Sequence, residues 1–503
     1  MRSLFGGGKP DHPLGDPKEA RRLLDELPAS DPCKALEDLA HWHESASAAE
    51  GFRPEARIQL LFALDDAAQP YLKTLGREYL AAARPSRFQE NRTWTHAYEY
   101  YRQAGHALAH AIDSVLQGAK GAEAAKPLLP LLVVRALRAI AQQLKWLHLR
   151  YGPIDPGLWR LMNGVYAFAE ARGIAEAKVA ALYPGIQGES TPRQEFMRAV
   201  ILSLSSPDSL LPPEIELAER LIADAAGSFL LMAEPAPELT HWTDLAQATP
   251  PQRLAKASQP APGLRFFGAG GAARALEGMI RRIEATGQVP ASVSAAGDFD
   301  TEAATELMRH LVLYWSAVPP ERKHPRHSVK SRLSIVHGYD AVLGALNGAP
   351  IDADKQVAEN WIVENVSAGG FGAVVPQAKG DWLKIGALLA MQPDGGNNWI
   401  IGMVRRVSKT SGHEARVGIQ TLSRAPLLAR FRTRGEEQSG MLLPTPGLGS
   451  GEASVALRSG VFVPGQNLEH QRGGRSYIYL PQELAERGED YDIVRFRELI
   501  REA

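Results

Sequence analysis

The chain has very little cysteine, almost no net charge and no long apolar run. Cys33 is the single cysteine among 503 residues, which excludes an intrachain disulfide and a cysteine-based metal cluster and favours a reducing cytoplasm. The 56 Lys and Arg residues balance the 57 Asp and Glu residues, which argues against nucleic-acid binding through bulk charge. No stretch approaches the ~20 apolar residues that span a bilayer, and the N-terminus lacks the apolar core of a signal peptide. We therefore expect a cytoplasmic protein with no membrane span and no nucleic-acid partner.

Length and periodicity predict a helical first half. A chain of 503 residues exceeds the size of one core, so two to four domains are expected. After a loose, Gly- and Pro-rich N-terminus at 1–16, apolar residues recur at three- and four-residue intervals throughout 17–234. The segment 128–152 is the most apolar of these, so we place it at the centre of a helical bundle.

Two shorter regions follow the helical domain. Residues 235–262 carry six prolines and are predicted to form a proline-rich connection or linker. Residues 263–319 contain two helical patterns, and Asp300 is a suitable N-cap for the second. We expect a helical pair there.

The sequence pattern changes from helical to β-rich at residue 320. Across 320–425, six short alternating or apolar segments are separated by Gly, Asn, Asp and Ser, which is typical of a small antiparallel barrel or sandwich. The stretch 339–348 is predicted to form a short helix inserted between the first and second of these segments. Further strand-like segments in 426–503 either extend that barrel or form a second one.

Two short motifs in the β-rich region suit an anionic ligand. Arg322 and Arg326 are four apart and Pro325 keeps their segment from being helical, so it is either a basic linker or a phosphate grip. Asn365 and Ser367 are two apart and share one face of a strand, and Gly370 allows a close approach. A simple turn would use the same residues.

Together the two motifs resemble the PilZ domain, a bacterial receptor module for the dinucleotide second messenger cyclic di-GMP. The pattern reads Arg322-x-x-x-Arg326, then a strand, then Asn365-x-Ser367-x-x-Gly370. The resemblance covers 320–425, whereas the N-terminal helical region is not recognised. The expected fold is therefore α+β and multidomain, with an all-α N-terminal region, a PilZ-like antiparallel β-barrel and a β-rich C-terminal extension.

The resemblance implies a role for each motif residue. Arg322 and Arg326 hold the phosphates and stack on a guanine, Asn365 and Ser367 hydrogen-bond a guanine edge, and Gly370 leaves space for the ligand. This implies a cyclic di-GMP effector with no metal and no other cofactor, and not an enzyme. A protein partner is expected at the N-terminal helical region.

Two alternatives remain at this point. An insertion at 339–359 separates Arg326 from Asn365, and if it covers the ligand face, the protein is a PilZ-like scaffold that binds no nucleotide but offers a helical docking platform. An enzyme with its site at His106, His110 or His148 has less support, because no further metal ligand is placed beside them by the sequence.

Overall fold

The structure, a computed structural model, describes residues 10–81, 86–185, 188–254, 260–294, 299–318, 324–348, 358–377, 382–410, 414–433, 436–445, 447, 449 and 451–501. The chain divides into two compact units. The first, called the helical unit, takes in the chain up to Pro320 except Tyr151–Pro153 and Asp208–Leu210, and the second takes in the remainder.

The helices are bounded by signals that are readable in the sequence. Six of the described helices begin with proline at the first helical position, where its missing N–H has no hydrogen bond to lose. Others begin with a side-chain cap, such as Asp300, whose carboxylate accepts from the N–H of Ala303. The described helices are α1 (Pro17–Asp25), α2 (Pro32–Ala48), α3 (Pro54–Leu80), α4 (Arg87–Leu116), α5 (Ala122–Ala125), α6 (Leu129–His148), α7 (Pro156–Ala171), α8 (Pro192–Leu204), α9 (Pro212–Ala225), α10 (Gly271–Thr286), α11 (Ala291–Ser294), α12 (Thr301–Trp315) and α13 (Tyr339–Leu346). Within the described part of the chain, no helix combines the length and apolar character that crossing a bilayer would require.

Helix α6 forms the centre of the helical unit, as its apolar sequence predicts. Sixteen of its 20 residues are buried, and they include charged ones. Arg138 donates to both carboxylate oxygens of the fully buried Glu195, and Lys145 lies 2.8 Å from Glu216. Arg135 lies 2.7 Å from Asp66, so the buried Arg135 and Lys145 of α6 are each paired with a carboxylate, as burial requires.

The region between the bundle and α10 is more ordered than an irregular connection. The strands β3 (Leu230–Met232), β4 (His241–Asp244), β5 (Gln252–Arg253) and β6 (Leu264–Gly268) form one sheet in the order β3-β6-β4-β5, and a two-stranded sheet of β1 (Val179–Ala180) and β2 (Glu189–Ser190) precedes it. Side-chain hydrogen bonds connect this segment to the helices. Asn163 donates to the carbonyls of Asp244 and Gln247, and Arg253 donates to the carbonyl of Tyr314. These strands of two to five residues are too short to give a readable alternation.

The six β-rich segments predicted after residue 320 form a closed antiparallel barrel, called the first barrel. Its strands are β7 (His327–His337), β8 (Ala358–Ser367), β9 (Gly370–Val375), β10 (Leu388–Pro393), β11 (Ile400–Lys409) and β12 (Ala415–Ser423). They pair in the closed order β7-β8-β9-β12-β11-β10. The interior is filled by apolar side chains, among them the fully buried Trp361 and Met391.

The C-terminal extension is a second closed barrel with its own core, which decides between the two arrangements left open by the sequence. Its strands are β13 (Leu427–Thr433), β14 (Glu436–Leu442), β15 (Glu452–Arg458), β16 (Leu468–Arg472), β17 (Arg475–Arg487) and β18 (Tyr491–Arg501). They pair in the closed order β13-β14-β15-β18-β17-β16. Counted from the first strand of each barrel, both follow the order 1-2-3-6-5-4. The two barrels therefore share one topology.

The two barrels share an apolar cluster at their interface. Helix α13, inserted between β7 and β8, contributes Tyr339 and Val342 to this cluster, together with Met403 of the first barrel and Tyr491 of the second. The hydroxyl of Tyr491 also donates to the carbonyl of Gly386 at 2.8 Å. Packing and hydrogen bonding thus connect the barrels directly.

Candidate cyclic di-GMP site on the first barrel

The interruption in the segment 361–375 is a β-hairpin turn. Strands β8 and β9 pair from Ser367 opposite Gly370, which leaves Ala368 and Gly369 as a two-residue turn. The hydroxyl of Ser367 donates to the carbonyl of Gly370 at 3.3 Å, within the same turn. Two of the motif residues, Ser367 and Gly370, therefore flank this turn.

A β-bulge decides which way the motif side chains face. Trp361 and Val363 are buried in the barrel core, and simple alternation would direct Asn365 to the same side. However, the register passes from Val363 opposite Ala373 to Asn365 opposite Gly372, which leaves one extra residue in β8. Because a one-residue shift exchanges the faces of a strand, Asn365 and Ser367 lie on the outer face of the barrel.

Glycines give this outer face a flat floor. A Cβ at Gly372 would lie 2.6 Å from the amide nitrogen of Asn365, so a larger residue there would displace that side chain across the strand pair. A Cβ at Gly370 would overlap the carbonyl oxygen of Ile419 on β12. The space that the sequence analysis assigned to a ligand at Gly370 is thus occupied by the neighbouring strand. Gly370 is needed for strand pairing, and Gly372 was missed by the sequence analysis.

Arg326 lies beside this floor. It directly precedes β7, whose first residue His327 pairs with Val366, so its backbone is next to that of Ser367. Arg326 is exposed, and among the described residues it has no carboxylate partner. The ring of His324 lies 3.0 Å from the position that a Cβ of Gly369 would take, so the segment before β7 packs on the turn. Arg322 lies outside the described residues.

The described part of the insertion lies at the far end of β7. Helix α13 follows His337, whereas Arg326 precedes the other end of this 11-residue strand, about 33 Å away. Helix α13 packs into the interface with the second barrel and leaves the outer face at Asn365 uncovered. The remainder of the insertion, 349–357, lies outside the described residues.

A further arginine reaches the turn from the end of the barrel. Arg424, the first residue after β12, donates to the carbonyls of Ser367 and Ala368 at 3.3 Å and 3.4 Å. Its guanidinium carbon lies 5.9 Å from the ring centre of Phe371. In sequence it is one of several arginines that follow the barrel, and spacing alone does not distinguish it from them.

The opposite end of the first barrel is filled by stacked aromatic rings. His337 stacks on Trp382 with ring centres 3.8 Å apart, and Trp382 lies nearly parallel to Trp361. Both indole N–H groups donate to the carboxylate of Glu359. Burial lowers the pKa of His337 from 6.5, although Glu359 and Asp490 act in the opposite direction.

Two of the three histidines considered for an enzyme site lie within hydrogen-bonding distance of a serine hydroxyl. His110 lies 3.2 Å from the hydroxyl of Ser47, and His148 lies 3.2 Å from that of Ser203. Among the residues that the structure describes, no group of three His, Cys, Asp or Glu side chains is arranged to hold a metal ion.

The first barrel is six-stranded and antiparallel, with an arginine before its first strand and an Asn-x-Ser-x-x-Gly hairpin after its second. These features define a PilZ-like domain. Comparison with known families agrees with this class. Residues 350–426 match the family described as "Cyclic-di-GMP receptor FimW, middle PilZ domain", and residues 18–236 match "Cyclic-di-GMP receptor FimW, N-terminal domain". No curated protein matches the chain.

The two matches differ in what they add. The N-terminal match corrects the sequence analysis, which recognised no family in the helical region. The middle match includes Asn365, Ser367 and Gly370 but begins after Arg322 and Arg326. Both descriptions name a cyclic di-GMP receptor and neither names an enzyme.

Proposed function

We propose that this chain is a cyclic di-GMP-binding effector, not an enzyme, whose ligand lies on the outer face of the first barrel. The observation that carries the proposal is the bulge in β8, which directs Asn365 and Ser367 out of the core beside Arg326, the residue that precedes β7. The similarity to cyclic di-GMP receptors in two regions of the chain supports the same ligand.

The residues have the chemistry that this ligand requires. Cyclic di-GMP carries two phosphate charges and two flat guanine bases. The guanidinium groups of Arg326 and Arg322 bind phosphate with a pair of hydrogen bonds or stack on a base. The amide of Asn365 and the hydroxyl of Ser367 hydrogen-bond the guanine edge, while Gly372 leaves room for the Asn365 side chain on the outer face.

Binding is coupled to a protein partner at the helical unit. The arginine segment follows α12 directly in the chain, so a ligand held by Arg326 acts on the link between the barrel and the helices. A change in amide hydrogen exchange within α3, α4 and α6 on adding nucleotide is the expected sign of this coupling. Exchange that changes only in the first barrel would contradict it.

Calorimetric titration with cyclic di-GMP tests the binding site. A charge-assisted hydrogen bond contributes about 1.5–3 kcal/mol, so Arg326→Ala should weaken binding by roughly ten- to a hundredfold. Asn365→Ala, which removes a neutral hydrogen-bonding group, should weaken it by roughly three- to tenfold.

Arg430→Ala is the matched control, because Arg430 is an exposed arginine on the first strand of the second barrel, which lacks the Asn-x-Ser-x-x-Gly pattern. Affinity that survives both Arg326→Ala and Asn365→Ala would refute the site. The absence of binding by the unaltered chain, with no thermal stabilisation by nucleotide, would refute the function and leave the ligand-free scaffold.

A further inference from the structure

Arg424 carries a positive charge to the turn of the candidate site from a different direction than Arg326. Arg326 directly precedes β7, the first strand of the first barrel, whereas Arg424 directly follows β12, its last strand. Its guanidinium binds the carbonyl of Ser367, whose own hydroxyl belongs to the candidate site. The two arginines thus lie on either side of the Ala368–Gly369 turn.

The surroundings of Arg424 leave most of its binding capacity unused. Both described contacts are made by one terminal nitrogen, and at 3.3 Å and 3.4 Å they are longer than a usual N–H···O bond. Among the described residues it has no carboxylate partner, and the residue is exposed. A guanidinium has five N–H donors in a planar fork, so its remaining donors are available to an anion.

We propose that Arg424 is a third guanidinium of the nucleotide site and binds a phosphate of cyclic di-GMP. This inference rests on the proposed function. The carbonyls of Ser367 and Ala368 hold the side chain beside the site before the ligand arrives, so little side-chain freedom is lost on binding. The ring of Phe371 supports the guanidinium from one side.

The position of Arg424 gives this contact a regulatory consequence. Only Arg424, Ala425 and Pro426 separate β12 from β13, the first strand of the second barrel. A phosphate bound by Arg424 is therefore held by the connection between the two barrels. Nucleotide binding restrains that connection.

Three substitutions at this position separate a ligand contact from a structural role. Arg424→Ala removes charge and donors, Arg424→Gln keeps an N–H₂ group for the two carbonyls without charge, and Arg424→Lys keeps charge without the fork. By calorimetric titration with cyclic di-GMP, we expect roughly tenfold or greater weakening for both Ala and Gln. Lys should be intermediate, and Arg430→Ala should match the unaltered chain.

The nucleotide-free proteins and the salt dependence complete the test. We expect all three variants to keep the denaturation midpoint of the unaltered chain. The Ala and Gln variants, which lack the charge, should lose part of the decrease in affinity that added salt causes, and the Lys variant should retain it. Unchanged affinity of Arg424→Ala would overturn the proposal. So would full recovery by Arg424→Gln, or a lowered midpoint in every weakened variant, because either result assigns Arg424 to the turn alone. If the unaltered chain binds no cyclic di-GMP, the proposed function itself fails.

Discussion

The two barrels have the same strand order but only the first carries the candidate site. In the first, the pairing of β8 with β9 is shifted between Val363 and Asn365, and the turn that follows has only two residues. In the second, the corresponding strands β14 and β15 pair at Met441 and Leu442 without a shift, and nine residues (443–451) separate them. The Asn-x-Ser-x-x-Gly pattern is absent from the sequence of the second barrel. The candidate site thus depends on a local change of register and on a turn. Two barrels with the same strand order can differ in both features.

The largest effect is expected from breaking the first barrel at its strand pairing. In Gly370→Ala the added Cβ overlaps the carbonyl of Ile419, a backbone atom that cannot rotate away. We expect a loss of about 3 kcal/mol in the free energy of unfolding, at the upper end of overpacking effects. In the matched change Gly440→Ala of the second barrel, the Cβ lies 2.9 Å from the ring of Phe431, and about 1–2 kcal/mol is expected.

Urea denaturation followed by far-ultraviolet circular dichroism would measure the difference, because this signal reports on the strands of both barrels. Residues 427–501 contain no tryptophan, so tryptophan fluorescence, recorded in parallel, reports on the first barrel and the helical unit. An equal or smaller loss in Gly370→Ala than in Gly440→Ala would contradict the strand geometry described above.

An intermediate effect is expected at the contact between the barrels. Tyr491→Phe removes the hydroxyl that donates to Gly386 and leaves that carbonyl without this donor. We expect a loss of about 1–3 kcal/mol, detected by fluorescence in the first barrel although the altered residue belongs to the second. Tyr477→Phe, a change of the same kind inside the second barrel, is the control. No change in the denaturation midpoint of Tyr491→Phe would mean that this hydrogen bond does not hold the barrels together.

The smallest effect is a pH dependence that distinguishes the first barrel. Because burial lowers the pKa of His337, the unfolded chain takes up this proton more readily than the folded one. The contribution of His337 is therefore fully present above pH ~6.5 and is lost as the pH falls below that value. In His337→Phe, which keeps a flat ring on Trp382, denaturation midpoints between pH 7.5 and 5.5 should fall less than in the unaltered chain. Identical pH profiles would show that His337 does not contribute.

The sequence predicted what depends on local patterns. Proline starts such as Pro192 mark the helices, and alternating apolar residues mark all six strands of the first barrel. Strands β14 and β16 show no apolar alternation in the sequence, because Glu, Gln, Ser, His and Arg dominate them. The short strands within 235–262 escaped prediction since tertiary hydrogen bonds, such as those of Arg253, hold them.

The candidate site was predictable only in part. The sequence indicated Asn365, Ser367 and Gly370, but the bulge that turns the first two outward depends on pairing with a neighbouring strand. For the same reason, nothing in the sequence distinguished Arg424 from the other arginines near it. The role of Arg322 stays a prediction.

The apolar cluster between the barrels limits how this chain can be divided for laboratory work. A fragment ending at residue 426 keeps the complete first barrel and the candidate site but loses the second-barrel half of the cluster. Val342, Ile401 and Met403 would then form an exposed apolar patch of the kind that causes aggregation. Fragments for expression should therefore extend to residue 501, and insolubility of a shorter piece would reflect the cut and not a misfolded site.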